Sequence, residues 1–174
     1  MCIRDRNTRV TARYLRKPFN LNSKKVRKAT LYICGLGFYE AYINGKKIGD
    51  QVLAPTPTDY SKSVKYNRFD VTGQLLKGAN AIGVILGNGR YTSMRMPGVR
   101  HFDVPKMIAQ LEVYYEDGEK RVIASDASWK ITAEGPIGTN NEFDGEEYDA
   151  RKEMPGWNTY PFDDTKWLQA EVVS

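Results

Sequence analysis

The chain alternates short runs of strand-favouring residues with segments rich in Gly, Pro, Asn and Asp. Hydrophobic and polar positions alternate over residues 107–115, whereas residues 29–44 form a longer apolar run rich in Tyr and Ile. Shorter runs occupy residues 10–19, 64–71, 81–86, 121–124 and 129–132. Asn44-Gly45 and Asp117-Gly118 separate such runs and suit tight hairpin turns, which need positive φ angles. This pattern predicts an all-β fold, a jelly-roll-like sandwich of two sheets.

The apolar positions also indicate where the core forms. A domain of 174 residues removes roughly 70% of its unfolded surface from water, so neither a disulfide nor a metal is needed to hold it. Cys34 is expected to pack there as a small hydrophobic side chain. Helical signals are weak, and only residues 73–77 and 163–167 suggest a turn or two. Alternate strand positions should supply the core: Leu31, Ile33, Ile43, Val84, Leu86, Ile108, Leu111 and Val113.

Charge is unevenly distributed along the chain. There are 26 basic and 21 acidic residues, a formal net charge of +5, but the first 28 residues hold ten of the basic residues and one acid, Asp5. The remainder is mildly acidic, which argues against a broad nucleic-acid-binding face. A polyanion binder that uses only the basic N-terminal region stays open as a minor alternative, and it predicts binding that weakens steeply with salt.

The first residues show no targeting signal. Residues 1–11 contain no signal peptide, because no apolar stretch of about 7–15 residues follows their charges, and the first six of them fit neither the strand pattern nor a targeting class. We interpret them as a disordered or artefactual leader and residues 12–174 as the folded domain, a fragment of a larger chain. Since this leader obscures the true N-terminus, the compartment stays undetermined. Apolar stretches fall short of the roughly 18 residues of a membrane span, so no membrane partner is expected.

Familiar catalytic motifs are absent, which leaves carboxylates as the candidates for chemistry. His101 is the only histidine, and the sequence lacks Gly-x-Ser-x-Gly, a phosphate-binding glycine loop and His-Glu-x-x-His. Glycoside hydrolysis needs only two carboxylates at a defined separation. Alternation along a strand would place Asp144 and Glu146 on one face, although a solvated edge or pairing with Arg151 and Lys152 is the simpler interpretation. The acids cluster near the C-terminus: Glu142, Asp144, Glu146, Glu147 and Asp149.

Glu40 is unusual because it interrupts the apolar run at residues 37–43. An unpaired buried charge is costly, so this carboxylate must either face solvent or have a partner. Asn88 and Arg90 are candidate partners if their glycine-containing loop folds over the strand, and a solvent-facing position or an internal pair with arginine is the alternative. Carboxylate, amide and backbone carbonyl oxygens are also the ligands that calcium prefers.

Short motifs recur in a fixed order through most of the chain. They include residues 29–50 (ATLYICGLGFYEAYINGKKIGD), Val52-Leu53-Ala54-Pro55, Thr58-Asp59-Tyr60, residues 80–84 (NAIGV), Leu86-Gly87-Asn88-Gly89, Ser128-Trp129-Lys130, Tyr148-Asp149-Ala150-Arg151 and Gly156-Trp157. In this order and spacing, from about residue 12 to the end, the chain resembles the N-terminal β-sandwich domain of bacterial α-L-rhamnosidases. The resemblance implies a jelly-roll-like domain that precedes a catalytic α/α-barrel.

The resemblance implies that this domain has a mainly accessory function. The general acid and base that hydrolyse terminal rhamnose with inversion lie in the family's barrel, so no catalytic residue is expected in this chain. The leading expectation is a domain that packs against the barrel of the same parent, which allows contact with a rhamnose-containing glycan. Related sandwich domains in some rhamnosidases bind rhamnose through calcium, and an autonomous calcium-dependent rhamnose-binding module is the alternative. Placed on this sequence, the resemblance implies Glu40 and Asn88 as calcium ligands and Glu40, Asn88, Arg90 and Tyr91 as carbohydrate-binding residues.

Overall fold

A computed structural model describes residues 10–92, 103–142 and 145–173 of the chain. Within these ranges the backbone is almost entirely strand and loop, and no helix is long and apolar enough to cross a membrane. The strands are β1 (Arg13–Leu21), β2 (Val26–Leu36), β3 (Phe38–Ile43), β4 (Lys46–Lys47), β5 (Asn67–Asp70), β6 (Gly78–Gly87), β7 (Lys106–Tyr115), β8 (Lys120–Ala124), β9 (Lys130–Thr132), β10 (Ile137–Asn141), β11 (Gly145–Tyr148) and β12 (Leu168–Gln169).

Two antiparallel sheets form the sandwich. The first sheet has the strand order β12-β9-β1-β6-β3-β4, and the second has the order β5-β2-β7-β8. Strands β10 and β11 pair as a separate hairpin. The predicted Asn44-Gly45 turn joins β3 to β4, with φ angles of 50° and 81° at its two residues. The all-β, two-sheet prediction is confirmed, while the jelly-roll-like connectivity stays a prediction.

The core lies between the two sheets. It contains Leu15 and Val84 from the first sheet and Leu31 and Leu111 from the second, all buried. Seven of the eight predicted core residues are buried, but Ile108 was wrongly assigned and is 67% exposed. Successive side chains of a strand point to opposite faces. In β7 the odd-numbered positions Ala109, Leu111 and Val113 face the core, so Ile108 faces outward.

The long apolar run at residues 29–44 is divided between the sheets. Strand β2 belongs to the second sheet and β3 to the first, and the chain crosses between them at Gly37. Gly37 has φ of +124°, and a Cβ atom at this position would lie 2.1 Å from the carbonyl oxygen of Gly87. Only glycine fits this crossing. Cys34, near the end of β2, is buried as expected.

The outer face of the first sheet is covered by residues 149–167, which we call the cover segment. Its aromatic side chains Trp157, Phe162 and Trp167 pack against Tyr14 of β1 in a second apolar cluster. Arg16, which shares a face of β1 with Tyr14, is buried beneath them. The region at 163–167 that suggested a helical turn contains turns without a helix, whereas residues 72–74 form a short 3₁₀ helix.

Buried Arg16 fastens the cover segment to the sheet. Its Nε donates to the carbonyl oxygen of Trp157 at 2.8 Å and its Nη2 to that of Thr159 at 2.9 Å. The guanidinium also pairs with the carboxylate of Asp164 and lies 5.1 Å from the ring centre of Phe162. A buried charge is tolerated only when its hydrogen-bonding groups are satisfied, and here the cover segment satisfies them.

Candidate functional site

An open cleft of about 820 Å³ lies over the outer face of the first sheet. Strand β3 supplies its floor, the β10–β11 hairpin supplies one wall, and the cover segment supplies another. The loop after β4 reaches its edge through Val52 and Leu53. The side chains that define its chemistry are mainly aromatic or acidic: Tyr14, Phe38, Glu40, Tyr42, Glu146, Tyr148, Glu153 and Trp157.

Glu40 occupies the floor of this cleft. Its carboxylate accepts a hydrogen bond of 2.6 Å from the Tyr42 hydroxyl and pairs with the ammonium group of Lys47 on β4. Burial alone would raise the pKa of the Glu40 carboxyl, but the hydrogen bonds from Lys47 and Tyr42 outweigh it and hold the pKa below its usual value. The carboxylate is therefore ionised at neutral pH and can accept hydrogen bonds from a ligand.

Trp157 closes one wall, and its ring is fixed by other aromatic rings. It meets Tyr14 edge-on at 5.1 Å and Tyr42 edge-on at 5.9 Å between ring centres. It also stacks on Trp167 at 6.3 Å. A Cβ atom at Gly83 on β6 would lie 2.8 Å from the Trp157 ring, so the glycine makes room for this wall. Such rings offer an apolar face next to polar edges.

The β10–β11 hairpin is held in place from two sides. The backbone amide of Asn88 donates to Asn140 Oδ1 at 2.8 Å, and Arg90 makes a bidentate ion pair with Glu142. On the other side, the Tyr148 hydroxyl donates to the Glu153 carboxylate of the cover segment at 2.8 Å. The two walls of the cleft are thus connected to each other and to the loop that follows β6.

The family model for the alpha-L-rhamnosidase N-terminal domain matches residues 24–174. The chain belongs to this family. An alpha-L-rhamnosidase of Formosa agariphila is 42% identical over 163 residues, which cover 90% of this chain and 17% of that protein.

Solved structures agree with this assignment. The Streptomyces avermitilis alpha-L-rhamnosidase, solved in complex with L-rhamnose, matches 92% of this chain and 16% of its own at 42% identity and a TM-score of 0.88. The native enzyme from Aspergillus terreus matches 97% of this chain and 20% of its own at 39% identity and a TM-score of 0.91. This rhamnosidase N-terminal domain therefore spans only 16–20% of the length of these relatives.

The structure places the four sequence-predicted binding residues in two separate regions. Glu40 lines the cleft, whereas Asn88, Arg90 and Tyr91 lie in the loop after β6 and do not line it. Glu40 is opposite Ile85 in the sheet, three residues before Asn88, a backbone separation of about 10 Å. The hypothesis that Asn88 or Arg90 pairs with Glu40 was wrong. The Glu40 carboxylate pairs instead with Lys47 on the adjacent strand.

The loop residues have structural contacts of their own. Asn88 is 4% exposed, and its Nδ2 donates to the carbonyl oxygen of Val10 at 2.6 Å. Its Oδ1 is buried and has no hydrogen-bond partner among the described residues. The ring of Tyr91 packs edge-on against Tyr60 at 5.2 Å. Across residues 10–92, 103–142 and 145–173, no three His, Cys, Asp or Glu side chains gather as metal ligands.

The acidic residues near the C-terminus do not act as one group. Glu142 pairs with Arg90, and Asp149 pairs with Arg151 as the simpler interpretation expected. Glu146 lines the cleft, and Asp144 falls outside the described residues. The N-terminal basic residues are also engaged, since Lys17, Lys24 and Lys25 pair with acids: Asp126, Asp117, Glu119 and Glu116.

Sequence reasoning missed much of the cleft. Tyr42 could have been found, because it shares the face of β3 with Glu40. Trp157 and Tyr148 carried no local signal that would place them over the first sheet. Their positions depend on contacts between distant parts of the chain, such as those of Arg16 and Gly83 with the cover segment.

Proposed function

We propose that this rhamnosidase N-terminal domain is a non-catalytic accessory domain of an α-L-rhamnosidase and that its cleft contacts carbohydrate. Hydrolysis of terminal α-L-rhamnose is assigned to a catalytic α/α-barrel of the same parent chain, against which this domain packs. Family membership and the small share of the relatives' length that the domain covers support this division. The proposed role therefore requires no catalytic residue in this domain.

The observation that carries the carbohydrate contact is the composition of the cleft. Aromatic rings that are apolar on the face and polar at the edge suit sugar rings, which have the same combination. The ionised Glu40 carboxylate and the amides of Asn140 and Asn158 supply hydrogen-bonding groups for hydroxyls. L-Rhamnose, present in the Streptomyces avermitilis complex, is the first sugar to test.

The charge state of Glu40 argues against a role as the general acid of a glycosidase. A glycosidase general acid needs a pKa raised towards neutrality so that it holds a proton. The pKa of Glu40 is instead lowered by its contacts with Lys47 and Tyr42. This carboxylate is suited to accepting hydrogen bonds and unsuited to donating a proton.

Titration of the 174-residue chain with L-rhamnose and a rhamnose-containing disaccharide, followed by NMR, tests the proposal. Tyr148→Ala should weaken binding about 2- to 10-fold, the range expected for one aromatic contact. Tyr148 is 53% exposed, so its removal should leave the sandwich folded, and Tyr66→Ala, at a 67% exposed tyrosine outside the cleft, is the matched control. Tyr148→Phe loses the same hydrogen bond to Glu153 but keeps the ring, so it should bind more tightly than Tyr148→Ala. No shift of cleft resonances at millimolar sugar, or equal effects of both variants, would contradict the carbohydrate contact.

A calcium-dependent rhamnose-binding module is the second candidate, and one atom favours it. The buried, partnerless Oδ1 of Asn88 is the type of oxygen that calcium prefers. Glu40 fits a shared site poorly, because it lies about 10 Å along the sheet and already pairs with Lys47. Repeating the rhamnose titration with a calcium chelator separates the candidates. Loss of binding would support the module, and unchanged binding would support contact at the cleft without calcium.

A further inference from the structure

The charged side chains that line the cleft all have the same sign. Glu40, Glu146 and Glu153 line it, and none of its lining residues is lysine or arginine within the described ranges. Lys47 on β4 pairs with the Glu40 carboxylate and balances its charge, although Lys47 does not itself line the cleft. Glu153 accepts a hydrogen bond from Tyr148, which leaves its charge in place. Glu146 is exposed on β11.

With Glu40 balanced by Lys47, the carboxylates of Glu146 and Glu153 leave the lining with a net negative charge. An anionic group a few ångströms from one of these carboxylates meets repulsion that is screened only in part, because the Debye length at physiological salt is about 8 Å. Hydroxyl groups meet the opposite situation, since each carboxylate accepts hydrogen bonds from them. The same lining therefore favours uncharged sugars and disfavours uronate, sulfate or phosphate groups.

The edge of the cleft provides an independent indication of an uncharged ligand. Val52 and Leu53 are exposed there by 74% and 63%, two adjacent apolar side chains with no core to fill. Leu53 has φ of +56°, a conformation that is uncommon for residues other than Gly, Asn and Asp. The backbone bond of 2.7 Å from Tyr39 to Ala54 fixes this turn beside β3. Exposed apolar groups on a strained backbone are typical of ligand contacts.

We propose that the cleft selects uncharged glycans with an apolar face, with Glu146 as a specificity-determining residue and Leu53 as an apolar contact. This inference rests on the carbohydrate contact proposed above. Glu146 acts by rejecting anionic sugars, and Leu53 acts by covering nonpolar sugar surface. The two residues therefore affect different ligands, which makes their roles separable.

Two matched ligands test the charge selection. One is a disaccharide of rhamnose and a neutral hexose, and the other carries the uronic acid of that hexose. At about 20 mM salt the domain should bind the neutral ligand roughly three- to tenfold more tightly, and the difference should shrink at about 0.3 M salt. Glu146→Gln should strengthen binding of the uronate by a few-fold and weaken binding of the neutral ligand by no more than about twofold, because the glutamine amide oxygen still accepts hydrogen bonds from hydroxyls. Glu134→Gln, at an exposed acid outside the cleft, should change neither.

Leu53→Gly tests the apolar contact without threatening the fold. Glycine suits a positive φ, so the thermal midpoint should stay the same or rise while affinity for the neutral ligand falls several-fold. Equal affinity for both ligands, tighter binding of the uronate, or identical behaviour of Glu146→Gln and Glu134→Gln would overturn the charge selection and leave the proposed carbohydrate contact standing. Absence of binding by both ligands would overturn both proposals.

Discussion

Replacing Arg16 with methionine is expected to loosen the cover segment from the first sheet. Methionine keeps most of the apolar stem and removes the guanidinium, which is 1% exposed. Two backbone carbonyl groups, those of Trp157 and Thr159, lose their charged donor, and Asp164 loses its ion-pair partner. The change therefore tests whether one buried cation holds the cover segment in place.

The expected loss of unfolding free energy is about 3 kcal/mol. Removing one partner of a buried ion pair typically costs about 3–5 kcal/mol, and a hydrogen bond to a charged group is worth about 1.5–3 kcal/mol. Asp164 remains 20% exposed and can regain water, which places the variant at the lower end of that range. For a chain of 174 residues, this loss corresponds to a midpoint lowered by about 6–12 °C.

Urea unfolding followed by circular dichroism and tryptophan fluorescence provides the assay. Trp157 and Trp167 report on the cover segment, while limited proteolysis at exposed Arg151 and Lys152 detects local release. Lys25→Met, at an exposed ion pair with Glu116, is the control and should not move the midpoint measurably.

A double-mutant cycle with Asp164→Asn isolates the ion pair from the other losses. Residues in direct contact usually show coupling of about 0.5–3 kcal/mol, and the buried pair should lie within that range. If Arg16→Met unfolds at the wild-type midpoint and resists protease as well as the wild type does, then the aromatic cluster alone holds the cover segment and the reasoning fails.

Two further predictions concern the crossing between the sheets and the loss of folding stability at acidic pH. Gly37→Ala should destabilise the domain by more than about 2 kcal/mol, because its Cβ atom would meet the Gly87 carbonyl oxygen at a strained φ, whereas Gly73→Ala, with open space around it, should be neutral or slightly stabilising in the same thermal melt. Hydrogen bonds from Lys17 and Ser128 hold the pKa of the Asp126 carboxyl at about 2, below its ordinary 3.8. Its stabilising contribution is therefore complete above about pH 4 and is lost as pH falls through about 2. Because Asp126 is half-exposed, the contribution should stay below about 1 kcal/mol. Asp126→Asn should flatten the pH dependence in that window, and an unchanged slope would contradict this assignment.

Strands in which hydrophobic and polar residues strictly alternate could be predicted from the sequence. The point at which the long apolar run at residues 29–44 breaks into two strands could not. Strand β7 spans Lys106–Tyr115, within one residue of its predicted range, because period-two alternation is a local property. The break in residues 29–44 depends on Gly37 meeting the carbonyl oxygen of Gly87, fifty residues further along the chain. Nothing within the run itself indicates that Gly37, and not the neighbouring Gly35, is the point where the chain crosses between the sheets.

The candidate site shows the same division between local and distant information. Glu40 could be singled out because a carboxylate in an apolar strand needs a physical reason. Its partner Lys47 was within reach of the same reasoning, since the Asn44-Gly45 turn brings β4 beside β3. The position of Trp157 depends on Arg16 and Gly83, which lie far away in sequence, so no local pattern could place it.

The position of β1 inside the first sheet has a consequence for folding during synthesis. Both neighbours of β1 follow it at a distance, since Leu21 pairs with Gly78 and Tyr14 pairs with Thr132. The strand must therefore wait, unpaired and partly apolar, until β6 (Gly78–Gly87) has been synthesised, and it gains its second neighbour only after β9 (Lys130–Thr132). Such distant pairing slows folding and leaves strand edges open to association with other chains. The arrangement of this sandwich thus constrains the rate and yield of folding more than the stability of the folded state.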